Sequence, residues 1–232
     1  MRSALLAALL ALPLVGGDEP KLALLAKADE PAPKLPAAIP EPFAKRLDAR
    51  GVRLTGADGK TVCDVWLCSE VALAAKPTSE MRVKFPTLPL GTLIGALQVV
   101  GAMTDYRNQA IAPGCYGLRV GWQPENGDHL GTSDSRDFLV VTSFTVDKDP
   151  APVGKLDDLV KLSVPASPSD HALALYVAAP EGDAGKDGAV RLFKREGKDE
   201  WAADLTLSCK AEGAKEPVKV RIGLVLIGHV AE

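Results

Sequence analysis

The stretch CYGLRVGWQ, residues 115–123, alternates large apolar residues with polar or small ones at a period of two. Successive side chains of a β-strand point to opposite faces, so this alternation predicts a strand. Its predicted buried face carries Tyr116, Leu118, Val120 and Trp122. Arg119 then belongs to the opposite, solvated face. The stretch predicts a sheet protein rather than a helical one.

Further segments repeat this pattern along the chain. Residues 200–210 and 218–230 alternate in the same way, and the second becomes apolar on both faces, as a covered central strand does. Turn residues at 56–60 (GADGK) and 195–200 (REGKDE) predict two hairpins between neighbouring strands. These are the connections of an antiparallel sheet.

Helical spacing is scarce. Residues 153–167 place Leu156, Leu159 and Val160 at helical intervals and predict one short helix. Residues 90–103 fit a helix or a buried strand, and their Thr, Val and Gly content favours the strand. The predicted fold is therefore all-β: an antiparallel β-sandwich or open barrel with one short helix.

The N-terminus has the features of a secretory signal peptide. Arg2 precedes an apolar run from Ala4 to Val15, which at about 12 residues is shorter than the roughly 20 that cross a bilayer. We predict a signal peptide at 1–17, a flexible Pro/Ala-rich linker at 18–42 and a β-sandwich domain at 43–232. The protein is expected to be exported, periplasmic or extracellular, with no membrane span after signal cleavage.

Composition restricts the classes of partner. The chain has 27 Lys and Arg against 30 Asp and Glu, a net charge of −3, and no strongly basic cluster. Such a balance argues against nucleic acid as a partner. Aromatic residues make up only 5% of the chain, so an exposed aromatic platform for carbohydrate is not evident. The partner stays unknown from composition.

The densest polar stretch is GWQPENGDHLGTSDSRDF, residues 121–138. Pro124 ends one strand and Phe138 enters the next, so the stretch is predicted to be a loop at one rim of the sheet, where binding residues often lie. The candidate ligand-binding residues are His129, Asp128, Asp134, Arg119, Arg136 and Asp137. The alternative is structural: the aspartates cap the turn and the arginine pairs with one of them.

A divalent metal is a possible cofactor of this loop. Its candidate ligands are His129, Asp128 and Asp134, because imidazole and carboxylates suit such cations. Their spacing matches neither the calcium-loop pattern nor HExxH, and no catalytic residue is predicted. A second polar cluster, TDYRNQ at 104–109, is predicted to supply a packed Tyr106 and a surface cation, Arg107, rather than a ligand clamp. His171 is predicted to be an ordinary surface residue.

The residues around this loop also carry a resemblance. The PGCYGLR strand entry, the QPENGDHLG loop and the RDF strand entry resemble a group of exported bacterial proteins of unknown function with a PGxYxLR strand and a QPxxGDHxG loop. The resemblance covers residues 51 to about 150. It implies export and a secreted β-sandwich, and it supplies no activity. Cys115 stands where those proteins usually carry an aliphatic residue, which hints at a cross-link.

The four cysteines are expected to form two disulfides in an oxidising compartment. Cys63 and Cys68 lie on one predicted strand with their Cα atoms about 16 Å apart, too far to pair with each other. Because side chains alternate between the two faces of a strand, Cys63 and Cys68 point to opposite faces. By the same alternation, Cys63 and Cys209 belong to apolar faces, and Cys68 and Cys115 belong to polar ones. The prediction is therefore Cys68 with Cys115 and Cys63 with Cys209.

Two functional hypotheses follow from the sequence. The first is a non-catalytic exported module with a binding or structural role, which the strand-rich pattern, the linker and the lack of a known catalytic motif favour. The second is a metal-dependent or hydrolytic enzyme with a polar site at the 124–137 loop.

Overall fold

The computed structural model describes residues 21–24, 35–124, 133–182 and 190–228. Within these ranges the strands are β1 (Lys21–Leu24), β2 (Leu47–Thr55), β3 (Thr61–Cys68), β4 (Val71–Leu73), β5 (Leu93–Val99), β6 (Gly114–Trp122), β7 (Asp137–Ser143), β8 (Leu173–Ala178), β9 (Arg191–Lys194), β10 (Trp201–Ala211) and β11 (Val218–Ile227). The helices are α1 (Glu41–Ala44) and α2 (Leu156–Ser163), and α2 continues into a 3-10 turn at Val164–Ala166. The predicted all-β fold is confirmed.

The strands form one curled sheet, a half-barrel, in the order β1-β2-β3-β5-β6-β7-β8-β11-β10-β4. Neighbours pair antiparallel except β4, which runs parallel to β10, and β9 pairs with another part of β10. Strand β3 is third in this order and β4 is last, yet only two residues connect them. The sheet must therefore curl to bring β3 and β4 close together. Both predicted hairpins are present, as β2–β3 and β9–β10, and residues 90–103 contain β5.

One face of the sheet carries the main apolar core. Leu118 of β6, Leu205 and Leu207 of β10 and Leu224 of β11 are all almost completely buried there. The predicted buried face of residues 115–123 is confirmed for Tyr116, Leu118 and Val120, whereas Trp122 at the strand end is only partly buried. The alternation of apolar and polar residues along this strand was therefore sufficient to identify the face that packs in the core.

The opposite face is also covered over the central strands. Helix α2 packs on β6 and β7, with Leu159 fully buried. Ser163 fixes the end of the helix, because its hydroxyl donates to the Val141 carbonyl at 2.6 Å and accepts from the Leu173 amide at 2.9 Å. The prediction that Arg119 lies on a solvated face is wrong: its side chain is 0% exposed, because residues 147–151 and the ring of Phe43 cover it.

The N-terminal region departs from its sequence-based description in two places. Within the predicted flexible linker, 18–42, residues Lys21–Leu24 form β1, whose backbone pairs with β2, and Ile39 is buried in the core. Helix α1 was not predicted, because a single turn has no apolar period to detect. It begins after Pro40 and buries Phe43. Among the described residues, no helix is both long and apolar enough to cross a membrane.

Candidate functional site

Two of the predicted site residues, His129 and Asp128, lie outside the described residues. Asp134, at the end of the same loop, forms ion pairs with Arg195 at 2.8 Å and Lys198 at 3.9 Å. No group of three or more His, Cys, Asp or Glu side chains that could hold a metal occurs in the described part of the chain. The enzyme and metal hypotheses thus depend on residues whose positions are not described.

Arg119 is a structural residue at the centre of the sheet. Its Nε and Nη2 donate to the two carboxylate oxygens of Asp147 at 2.8 and 2.9 Å. Its remaining donors bind the carbonyl oxygens of Gly91, Ala151 and Asp149. All five guanidinium N–H groups therefore have partners within the protein, and Arg119 has no donor left for a ligand.

Arg136 and Asp137 anchor a long loop, residues 74–92, which connects β4 to β5. The carboxylate of Asp137 accepts the backbone N–H groups of Lys84 and Phe85 at 2.8 and 3.2 Å. The guanidinium of Arg136 binds Glu80 at 2.8 Å and the Gln123 carbonyl at 2.6 Å. Both residues thus make structural contacts, but these differ from the predicted turn capping: Asp137 binds the backbone of the 74–92 loop, and Arg136 pairs with Glu80 of that loop.

A groove of about 400 Å³ lies on the α2 side of the sheet, beside Gln123 and Pro124. Its floor is formed by side chains of β7 and β8, among them Phe138, Val140 and Ala174. Leu156 and Val160 of α2 form one wall. The groove has the size and apolar lining of small-molecule binding sites. We call it the α2 groove.

Polar groups surround the mouth of the α2 groove. Arg107, from the turn before β6, and Asp170 and His171, from the turn before β8, are exposed and line it. The guanidinium of Arg107 donates to the carbonyl of Ala172, which joins the two turns. An apolar floor with a few polar groups at the rim can hold an amphipathic molecule in one orientation.

Tyr106 forms part of the wall and is held by a buried network. Its ring stacks on Tyr176 at 4.9 Å, and its hydroxyl donates to Glu200 at 3.1 Å. Burial and the Glu200 carboxylate both raise the pKa of Tyr106. Glu200 in turn pairs with Arg195, whose guanidinium lies over the Tyr176 ring. This network fixes the wall of the groove before any ligand binds.

The α2 groove was not predicted from the sequence. Tyr106 is packed, as predicted, and Arg107 and His171 lie at the surface, as predicted. The missing information was that the turns at 104–109 and 170–172 meet. The one feature of the sequence that pointed to a groove was the predicted helix at 153–167. A helix that packs on one face of a sheet leaves a groove along its side.

All four cysteines are free thiols, and no pair lies at disulfide distance. Cys63 and Cys209 lie in the apolar core as predicted, but the prediction that Cys68 lies on a polar face is wrong, since Cys68 is buried in the same core at 4% exposure. Cys115 pairs with Gln98 of β5, and Gln98 pairs with Asp64 of β3, so two strand spacings separate Cys115 from β3. The structure therefore gives no support to the predicted Cys68–Cys115 and Cys63–Cys209 bridges.

Comparison with known proteins identifies no relative: no family model, no curated protein and no solved structure matches the chain. The resemblance to exported proteins of unknown function stays a prediction.

Proposed function

We propose that this protein is an exported, non-catalytic binding module that holds a small molecule in the α2 groove. The observation that carries the proposal is the groove itself, a concavity of about 400 Å³ with an apolar floor and polar side chains at its mouth. Sites of this kind bury most of the surface of a small ligand and use few polar groups to orient it.

The scaffold around the groove supports a binding role. Its floor belongs to central strands, and its wall residue Tyr106 is fixed by a hydrogen bond to Glu200. Sites built on rigid elements and supported by buried hydrogen bonds bind with little loss of conformational freedom. The groove therefore needs little rearrangement to accept a ligand.

The non-catalytic part of the proposal rests on how the predicted polar residues are used. Arg119, Arg136 and Asp137 all make hydrogen bonds that join segments of the protein. Groups committed to such contacts are poorly suited to transfer protons or to attack a substrate. Their engagement favours binding over chemistry.

Binding can be tested with phenylnaphthylamine, an uncharged dye whose fluorescence rises in apolar surroundings. We expect the folded protein to bind it, and Ala174→Phe to weaken binding about tenfold or more by filling the floor, since a ligand contact worth about 1.4 kcal/mol corresponds to a factor of ten. Ala72→Phe, at an exposed position of β4, is the matched control. Val160→Phe fills the groove from the helix side if Ala174→Phe does not fold.

Equal binding by the wild type and both filling variants, or no binding by the wild type, would contradict the proposal.

Export is tested separately by N-terminal sequencing of the secreted protein, which should begin near Gly17 or Asp18. Recovery of Met1 from that fraction would exclude the signal peptide.

A further inference from the structure

We infer that the ligand of the α2 groove carries one anionic group, which binds the guanidinium of Arg107 at the mouth while an apolar body occupies the floor. This inference rests on the proposed function and specifies its ligand class. It rests on Arg107 and its contacts and on two other side chains that line the mouth, Asp170 and His171.

Arg107 is positioned before a ligand arrives. Its backbone N–H donates to Asp105 at 2.9 Å, within the turn that ends with Asn108 in the left-handed conformation, at φ 61°. Its guanidinium is anchored on one side by the Ala172 carbonyl. The side chain nevertheless remains 38% exposed. Holding the side chain in this way lowers the entropy lost when it binds an anion.

Asp105 accepts no hydrogen bond from the guanidinium of Arg107. Its carboxylate is fully buried and accepts four other donors: the backbone N–H groups of Arg107, Gln109 and Ala174, and the side-chain amide of Gln109. The closest guanidinium nitrogen, Nε, is 3.9 Å from it, beyond hydrogen-bond distance. Within the described residues, Nη1 of Arg107 has no hydrogen-bond partner. A planar fork with spare donors suits a carboxylate, sulfonate or phosphate oxygen.

The other groups at the mouth determine where the anion lies. Asp170 would repel an anion, whereas the exposed imidazole of His171 can donate a hydrogen bond to one. The anionic group is therefore expected beside Arg107, and removal of the Asp170 charge should strengthen its binding. The experiment therefore measures the opposite effects of removing the Arg107 charge and the Asp170 charge on the affinity for an anion.

The experiment compares two dyes that differ by one charge: anilinonaphthalene sulfonate and its uncharged parent phenylnaphthylamine. Dissociation constants are measured by fluorescence titration at low salt for the wild type, Arg107→Gln and Asp170→Asn. We expect Arg107→Gln to weaken sulfonate binding about tenfold, the effect of one charge-assisted hydrogen bond, and to leave the neutral dye within about twofold. Asp170→Asn should tighten only the sulfonate. Arg50→Gln, which removes an exposed charge outside the groove, is the matched control.

The outcomes separate the inference from the proposed function. If both dyes bind in the groove and Arg107→Gln affects them equally or not at all, the anionic ligand class is wrong while the binding function stands. If neither dye binds the wild type, or binding ignores Ala174→Phe and Val160→Phe, the proposed function itself fails. Circular dichroism of each variant establishes that the comparison uses folded protein.

Discussion

Arg119 illustrates the residue scale, at which a side chain's chemistry depends on what covers it. Alternation along residues 115–123 correctly separates Arg119 from the core face. It cannot show that Asp147, 28 residues later in the chain, pairs with the guanidinium from above. Gly91 completes the clamp at φ 74°, where an added Cβ would meet the Val153 carbonyl oxygen at 1.9 Å. A buried arginine needs such partners for every donor.

Replacing Asp147 with alanine should destabilise the protein strongly. The change leaves the Arg119 charge buried without its carboxylate, and breaking a buried ion pair in this way costs about 3–5 kcal/mol. Urea denaturation monitored by circular dichroism measures the free energy of unfolding. Asp158→Ala removes the exposed partner of Lys161 and should leave the midpoint nearly unchanged. Similar stabilities for the two variants would show that the buried pair does not hold the sheet to its covering loops.

The thiols give a second prediction at this scale. Burial raises the pKa of Cys63 and of Cys68 to about 12 and that of Cys209 to about 11, so little thiolate forms at pH 8. Half-buried Cys115, whose pKa burial also raises, is the most accessible of the four. A thiol reagent should therefore modify Cys115 first in the native protein and all four cysteines after unfolding.

Cys115→Ser is the control for this titration, because it should abolish the early reaction and leave three thiols that react only in denaturant. If the unfolded, unreduced protein has no reactive thiol, the result would instead support the two disulfides predicted from strand alternation. Peptide mapping would then identify the pairs.

At the scale of elements, the sequence predicts those elements whose formation depends on nearby residues. It does not predict those whose conformation depends on contacts with residues far away in the chain. Both hairpins and α2 were predictable because turn residues and apolar spacing lie within the segment that folds. The loop at 74–92 was not, because its conformation depends on Asp137, more than 50 residues away. The α2 groove has the same origin: it arises where Arg107, α2 and Ala172 meet, and none of them predicts the others.

The anchoring of this loop by Asp137 is testable by limited proteolysis. Asp137→Ala removes the acceptor of two backbone N–H groups, at Lys84 and Phe85, so the loop should open more often. Losing even one such charge-assisted bond corresponds to about a tenfold change in the opening equilibrium, so the loss of both should change it by at least that factor. Tryptic cleavage after Arg82 and Lys84 should therefore accelerate by about tenfold or more.

Asp134→Ala is the matched control, since Asp134 lies three residues before Asp137 but pairs with Arg195 instead. Equal cleavage rates in the two variants would mean that other contacts, such as the pair of Arg136 with Glu80, hold the segment.

At the scale of the whole molecule, alternation left a sandwich and an open barrel as alternatives, and the curled sheet is a half-barrel. Parity assigns each residue to a face, but it does not give the order β8-β11-β10-β4, which depends on pairing between distant segments. The predicted start of the domain, residue 43, falls within α1. The chain before it already contributes a buried residue, Ile39, because α1 and its preceding turn close one part of the core.

The position at which the folded unit begins can therefore be measured with two shortened proteins, one starting at Leu35 and one at Arg46. The first lacks β1, which adds a four-residue ladder at one edge of the sheet, and should retain most of the stability. The second also lacks Ile39 and Phe43, whose ring lies 4.8 Å from that of Phe144 and covers the guanidinium of Arg119. Losing a buried phenylalanine alone costs about 3–5 kcal/mol, so this protein should unfold at a much lower urea concentration. If both proteins lose the same stability, the β1 ladder rather than α1 closes the N-terminal side of the core.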